Sequence, residues 1–170
     1  MNRVIQFFTH LAYHFHEVDQ GFLEVYLSEK ERLLFEQMKK SEKIHSLLVA
    51  KGVQKESADP LFIKASLLHD VGKILRPLTM LEKTMAVILQ AMGVEQLPRV
   101  QKWPFMASYL THGQRGADLL VEQGFFPKKS LYELLIRHHH DKPERLRAIP
   151  GIDSDFLQMV HLLKKMDDRY

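Results

Sequence analysis

The 170-residue chain contains no cysteine. That excludes disulfides, thiolate metal sites and cysteine nucleophiles, and it fits a reducing cytoplasm. Glycine (8) and proline (7) are scarce, too scarce for a loop-rich or disordered protein. No uninterrupted apolar run reaches the roughly 18 residues that a membrane span needs. The opening stretch MNRVIQFFTHLAYHFHE is broken by Arg3, His10, His14 and His16, so no secretory signal is expected. Neither sign of charge dominates: the formal net charge is +3 and the pI is about 9.0. Such mild basicity suits small anions such as nucleotides and does not single out nucleic acid. The expectation is a cytoplasmic protein with no membrane contact and no specific nucleic-acid binding, with a homo-oligomer left open.

What is present is helical periodicity. No stretch alternates apolar and polar residues long enough for a sheet, and there is no internal repeat. The spacing predicts an all-α, single-domain helical bundle. A first helix is expected from Asn2 to about His16, burying Val4, Phe7, Phe8, Leu11 and Phe15, with a break around Asp19-Gln20-Gly21. Ser28 with Glu31 forms a capping box, as does Thr79 with Glu82. Ser41 is expected to cap a helix that ends near Gly52. Asp59-Pro60 reads as an N-cap followed by proline at the first helical position, and LFIKASLLHD after it should be central. Val94 to Pro104 reads as a connector that Trp103, with Pro104 and Phe105, anchors to the core. A helix from Phe105 to Gln123 should stop at Gly124, and another should run from Ser130 to His139. Lys142 to Gly151 reads as a loop, and Asp153 or Ser154 as the cap of a last helix. The division expected is residues 1–40 as N-terminal helices packed on a core unit of residues 41–170.

Ten histidines are the compositional oddity. Five places carry chemistry: His45, His69-Asp70, His112, the run His138-His139-His140, and Asp167-Asp168. An ionisable pair such as His69-Asp70, closing a strongly apolar helix, is costly to bury unless paired or metal-bound. Imidazole with carboxylate suits iron, manganese, cobalt, nickel or zinc. Taken singly, each has a bland reading. His45 would be a core histidine, His112 an exposed one, and Asp167-Asp168 a solvated acidic end. His10, His14, His16 and His161 match no motif.

Taken in order, His, His-Asp, His, His-His and Asp resemble the HD-domain superfamily of metal-dependent phosphohydrolases. L-L-H-D-V-G-K matches its central motif. H-x-x-x-G at His112 to Gly116, I-R-x-H-H at Ile136 to His140 and a terminal Asp match its later ones. The resemblance spans about Glu36 to Asp168. It implies a first metal site of His45, His69, Asp70 and Asp167, with Asp70 bridging to a second metal held by His112, His139 and His140. His138 is left as a surface or supporting residue. A further upstream carboxylate has only Glu36 and Glu42 as candidates. The added histidines resemble the two-metal branch, which includes enzymes that split dinucleoside polyphosphates. They also resemble the HD-GYP phosphodiesterases, but D-K-P-E-R-L-R-A-I-P follows here in place of Gly-Tyr-Pro.

The resemblance implies hydrolysis of a phosphoester or phosphoanhydride in a small phosphorylated substrate, a nucleotide for preference, with one or two divalent metals as cofactor. Metals in such a site activate water and neutralise phosphate charge. Asp70 and Lys73 are the catalytic candidates. Lys73, Arg115 and Arg137 are the candidates for phosphate binding. Two other classes share the ligand types: a di-iron oxygenase of the same superfamily, and a non-catalytic nucleotide-binding regulatory module.

Overall fold

A computed structural model describes residues 17–170; the helix expected over Asn2 to His16 lies outside the described residues. Among the described residues there are ten α-helices and no strand: α1 Gln20–Tyr26, α2 Glu29–Glu36, α3 Lys40–Gln54, α4 Pro60–Leu68, α5 Met80–Ala91, α6 Pro98–Gln101, α7 Pro104–Glu122, α8 Leu131–His138, α9 Pro143–Arg147 and α10 Ser154–Asp167. Two 3-10 segments, Val71–Leu75 and Val94–Gln96, join them. The all-α fold expected from the periodicity is the one observed. Among the described residues no helix is long and apolar enough to cross a membrane.

The caps explain most of the boundaries. Ser28 and Glu31 satisfy each other's orphan amides at the start of α2, and Thr79 and Glu82 do so at α5. Asp59 accepts from the Leu61 amide with Pro60 at the first position of α4, and Asp153 accepts from Phe156 to open α10. Gly93 and Gly124 follow α5 and α7 in the left-handed region, at φ 71° and 73°, where only glycine is unstrained.

Three expectations are corrected. The break near Asp19 is itself a cap: Asp19 accepts from the Phe22 amide and starts α1. Helix α3 begins before Ser41, because Lys39 is extended and its carbonyl already accepts from Glu42 and Lys43. Gly52 lies near the end of that helix, as expected, in the turn that closes at Gln54, and a Cβ there would meet the Met166 sulfur at 2.8 Å. The loop expected over residues 142–151 contains α9, because Pro143 occupies the first helical position, where its missing N–H costs nothing.

The core forms around α4. Phe62, Ile63, Ala65, Ser66, Leu67 and Leu68 are all buried, so most of this helix faces the core, and Lys64, paired with Glu31, and exposed Leu61 mark its outer side. The buried Ser66 hydroxyl donates to the Phe62 carbonyl at 2.8 Å. Around α4 pack α3, α8 and α1, and α10 closes over α3. Phe35, Leu135, Ile136, Phe156 and Leu163 complete this core. A smaller cluster of Ala86, Val100 and Met106 seats α5 and α6 against the start of α7.

The tightest packing lies beside the His69-Asp70 junction. A Cβ on Gly72 would sit 1.9 Å from the His112 carbonyl oxygen and 2.6 Å from the Gly116 amide. The 3-10 segment therefore rests backbone to backbone on α7, and this brings Asp70 and His112 together. Gly72→Ala should cost about 3 kcal/mol or more, a fall in Tm of roughly 6–12 °C. Gly124→Ala meets nothing within 4 Å and should cost only about 1–2 kcal/mol through its backbone conformation. Scanning calorimetry of the two variants checks the ordering.

Candidate metal centre

Three helix ends converge on one point. His69 is the C-cap of α4, His139 is the C-cap of α8, and Asp167 is the last residue of α10. Each helix end carries roughly half a negative charge, so their convergence favours a cation. From the sides come His45 on α3 and His112 on α7.

The histidines are aimed by one repeated bond. His69 Nδ1 lies 2.8 Å from the Ser66 carbonyl oxygen, His139 Nδ1 is 2.6 Å from that of Ile136, and His112 Nδ1 is 2.7 Å from that of Tyr109. A carbonyl can only accept, so Nδ1 carries the proton and the neutral ring turns its Nε2 lone pair inward. In α4 and α8 the accepting carbonyl belongs to the last turn, which has no intrahelical partner for it. One bond thus completes the helix end and sets the tautomer.

Both carboxylates are surrounded by these rings. Asp70 Oδ1 is 3.2 Å from His112 Nε2, and its Oδ2 is 3.6 Å from His69 Nε2 and 4.0 Å from His45 Nε2. Asp167 Oδ1 is 2.8 Å from His45 Nε2 and 3.5 Å from His69 Nε2, while Oδ2 is 3.9 Å from His140 Nδ1. His140 Nε2 approaches His112 Nε2 at 3.1 Å. Two ligands on adjacent positions of one cation, each with a metal–nitrogen distance near 2.1 Å, stand about 3 Å apart. His69, Asp70, His112 and His139 are buried, and the His140 side chain is half exposed. The solvent side of the centre is therefore the His140 side.

Among the described residues two groups can hold an ion: His45, His69 and Asp70, and Asp70, His112, His139 and His140, each with its donor atoms within 4.8 Å of one another. Asp70 belongs to both. The buried Nε2 atoms of His69 and His139 have no hydrogen-bond partner, and an unsatisfied buried acceptor costs about 1–3 kcal/mol. A divalent cation is the partner these atoms fit.

The titration of Asp70, Asp167 and His139 agrees. Burial opposes ionisation of Asp70, but Lys73, His69 and His112 outweigh it and hold the carboxyl well below its ordinary range. Asp167 follows the same pattern, with burial overcome by the His45 and His69 rings beside it. Burial, and then the neighbouring His140, His69 and His112, push His139 well below an ordinary histidine, so it is neutral and able to ligate near pH 7. His69 is raised, because Asp70 and Asp167 overcome the effect of its burial.

The remaining candidates fall into two groups. Lys73 stands at the centre, with its ammonium donating to Asp70 Oδ2. Arg137 does not face it openly: its guanidinium is held by Glu133 at 2.6 Å and by Asp118 at 2.5 Å. Arg115 is partly buried on α7, and no contact ties it to the cluster. His138 bonds Asp141 at 2.7 Å and braces the turn that carries His139 and His140. Glu36 pairs with Lys43 at the surface, and buried Glu42 pairs with Lys83 at 2.8 Å. Asp168 is exposed, in contrast to Asp167.

One residue escaped the sequence reading. A Cβ on Gly113 would meet His139 Cε1 at 2.9 Å, so glycine there leaves the floor on which the His139 ring lies. The signal was present as the glycine directly after His112, but only the packing of α8 on α7 gives it meaning.

Among known proteins, the family model described as the HD domain matches residues 43–168, well over half of the chain. No curated protein and no solved structure matches.

His139→Ala should weaken binding of manganese or cobalt by about 10–100-fold or more, whereas His138→Ala should leave it within a few-fold; isothermal titration calorimetry checks both. Binding should also weaken as pH falls through the raised His69 value, because an imidazolium cannot ligate, and protons should be released on binding. Titrations in buffers of different ionisation enthalpy count those protons.

Proposed function

The chain belongs to the HD domain family, whose members bind divalent metals, and on that premise we propose that it is a phosphohydrolase cleaving a phosphoester or phosphoanhydride of a small substrate, a nucleotide by preference. The observation that carries the reading is the convergence of five imidazoles and two carboxylates, Asp70 common to both candidate ion groups. His45, His69, Asp70 and Asp167 would hold one cation, and Asp70, His112, His139 and His140 a second. A bound divalent cation supplies Lewis acidity toward a phosphoryl oxygen and lowers the pKa of water toward neutrality.

The chain's own groups supply position and charge. Lys73 remains protonated: burial opposes the ammonium, but Asp70 and Glu42 outweigh that and raise its pKa. Its side chain is partly exposed while Asp70 is buried. It therefore presents a fixed positive charge at the rim of the centre, where a phosphate oxygen would enter. His140 lies on the same open side. Arg137 is already neutralised by two carboxylates, so the phosphate-binding role falls chiefly to Lys73.

Nucleotides, dinucleoside tetraphosphates included, form the substrate screen, with manganese, cobalt, nickel, iron or zinc. Asp70→Ala should abolish both bound metal and phosphate release. Lys73→Ala should retain metal within a few-fold and lose about 100-fold in kcat/KM. Phosphate release and metal content measured on the same preparations check this. Turnover retained in Asp70→Ala refutes the proposal, and oxygen uptake without phosphate release would move the chain to the oxygenase class.

A further inference from the structure

Helix α5 has its exposure reversed. A surface helix turns charge outward, yet Leu81, Met85, Ile88 and Met92 are exposed, Leu81 at 78% and Met92 at 68%. Their spacing of four, three and four residues places them in one stripe along the helix. Beside it run Thr84 and Ala91, which are small and let a second backbone approach. The Thr84 hydroxyl donates to the Met80 carbonyl at 2.9 Å, so it asks nothing of water. The only charges of α5, Glu82 and Lys83, are drawn back toward the body by Arg76 at 2.7 Å and Glu42 at 2.8 Å.

We propose that the outer face of α5 is a two-fold interface at which the protein pairs with a second copy of itself, α5 antiparallel to α5. The stripe carries its own complement. Intervals of four, three and four read the same in both directions, so an antiparallel partner sets Leu81 against Met92 and Met85 against Ile88, twice over. An isologous interface requires such self-complementarity.

The area fits as well. The exposed apolar side chains of α5 amount to on the order of 500 Å² per copy, near the top of the ~300–600 Å² range for the largest patch on a typical monomer. Two copies would bury on the order of 1,000 Å², the lower limit for a specific interface, so the expected dimer is of micromolar strength. A lipid surface would call for lysine and arginine along the flanks; α5 offers one lysine, and Glu42 holds it.

Sedimentation of the full chain should show a monomer–dimer equilibrium with a dissociation constant on the order of 10 µM. Met85→Glu and Ile88→Glu each set like charges close to the two-fold axis and should weaken pairing by more than about tenfold. Both positions are exposed, so helicity by circular dichroism should be unchanged, as should Tm at concentrations where the chain is a monomer. The absence of native cysteine allows a direct reading of geometry. Ile88→Cys lies within about two residues of the axis, so the two copies of that position fall within disulfide reach and should oxidise to a crosslinked dimer. Leu81→Cys, which faces Met92 of the other copy, should not crosslink. A monomer at every concentration overturns the proposal, including one in which residues 1–16 cover the stripe. So does a dimer that survives both glutamate variants, a crosslink from Leu81→Cys but not Ile88→Cys, or a monomer that binds neutral vesicles instead.

Discussion

The centre depends on a bond between imidazole Nδ1 and a carbonyl three residues earlier. It occurs at His69, His112 and His139. A ring free at Nδ1 would have two tautomers and a range of orientations. A ring donating to a fixed carbonyl has one of each, and its remaining lone pair points where the helix sends it. Two of these bonds fall on last-turn carbonyls, so the interaction that prepares the donor also finishes the helix. The charge of three converging helix ends is fixed by the same packing that buries Leu67, Leu135 and Leu163.

Around that centre the charges form a chain. Lys73 bonds Asp70 and feels Glu42, and Glu42 in turn bonds Lys83 of α5. Arg76 reaches α5 by a second route, through Glu82. The helix bearing the apolar stripe is thus fastened to the rim of the centre by two ion pairs, both partly buried. Burial makes such pairs costly to break even where they add little net stability. The rim therefore acquires definite geometry from contacts that touch neither candidate ion group.

Much of the fold was legible from short-range chemistry. Capping boxes at Ser28 and Thr79, the Asp59-Pro60 start and the glycine after α7 act within three or four residues, and the structure places them as the sequence predicts. Ser41 misled because a serine capable of capping is not obliged to cap, and the Lys39 carbonyl had already started the ladder. Pro143 misled in the opposite sense, since proline breaks a helix from inside but begins one at its first turn. At the site, order along the chain picked out every side chain that the structure gathers. It did not separate His139 from Arg137, whose guanidinium finds Asp118 and Glu133 across the α7–α8 packing.

By itself the sequence determined the donor types, their order, and the helices that carry them, because caps and periodicity are local and need no partner. Tertiary structure alone decided which nitrogen faces inward, which charges are spent on one another, and which face of α5 meets solvent. The reason is separation along the chain. His45 meets Asp167 across 122 positions and His140 meets His112 across 28. A lone pair acquires a direction, and a methionine its exposure, only when distant helices have taken their places around it.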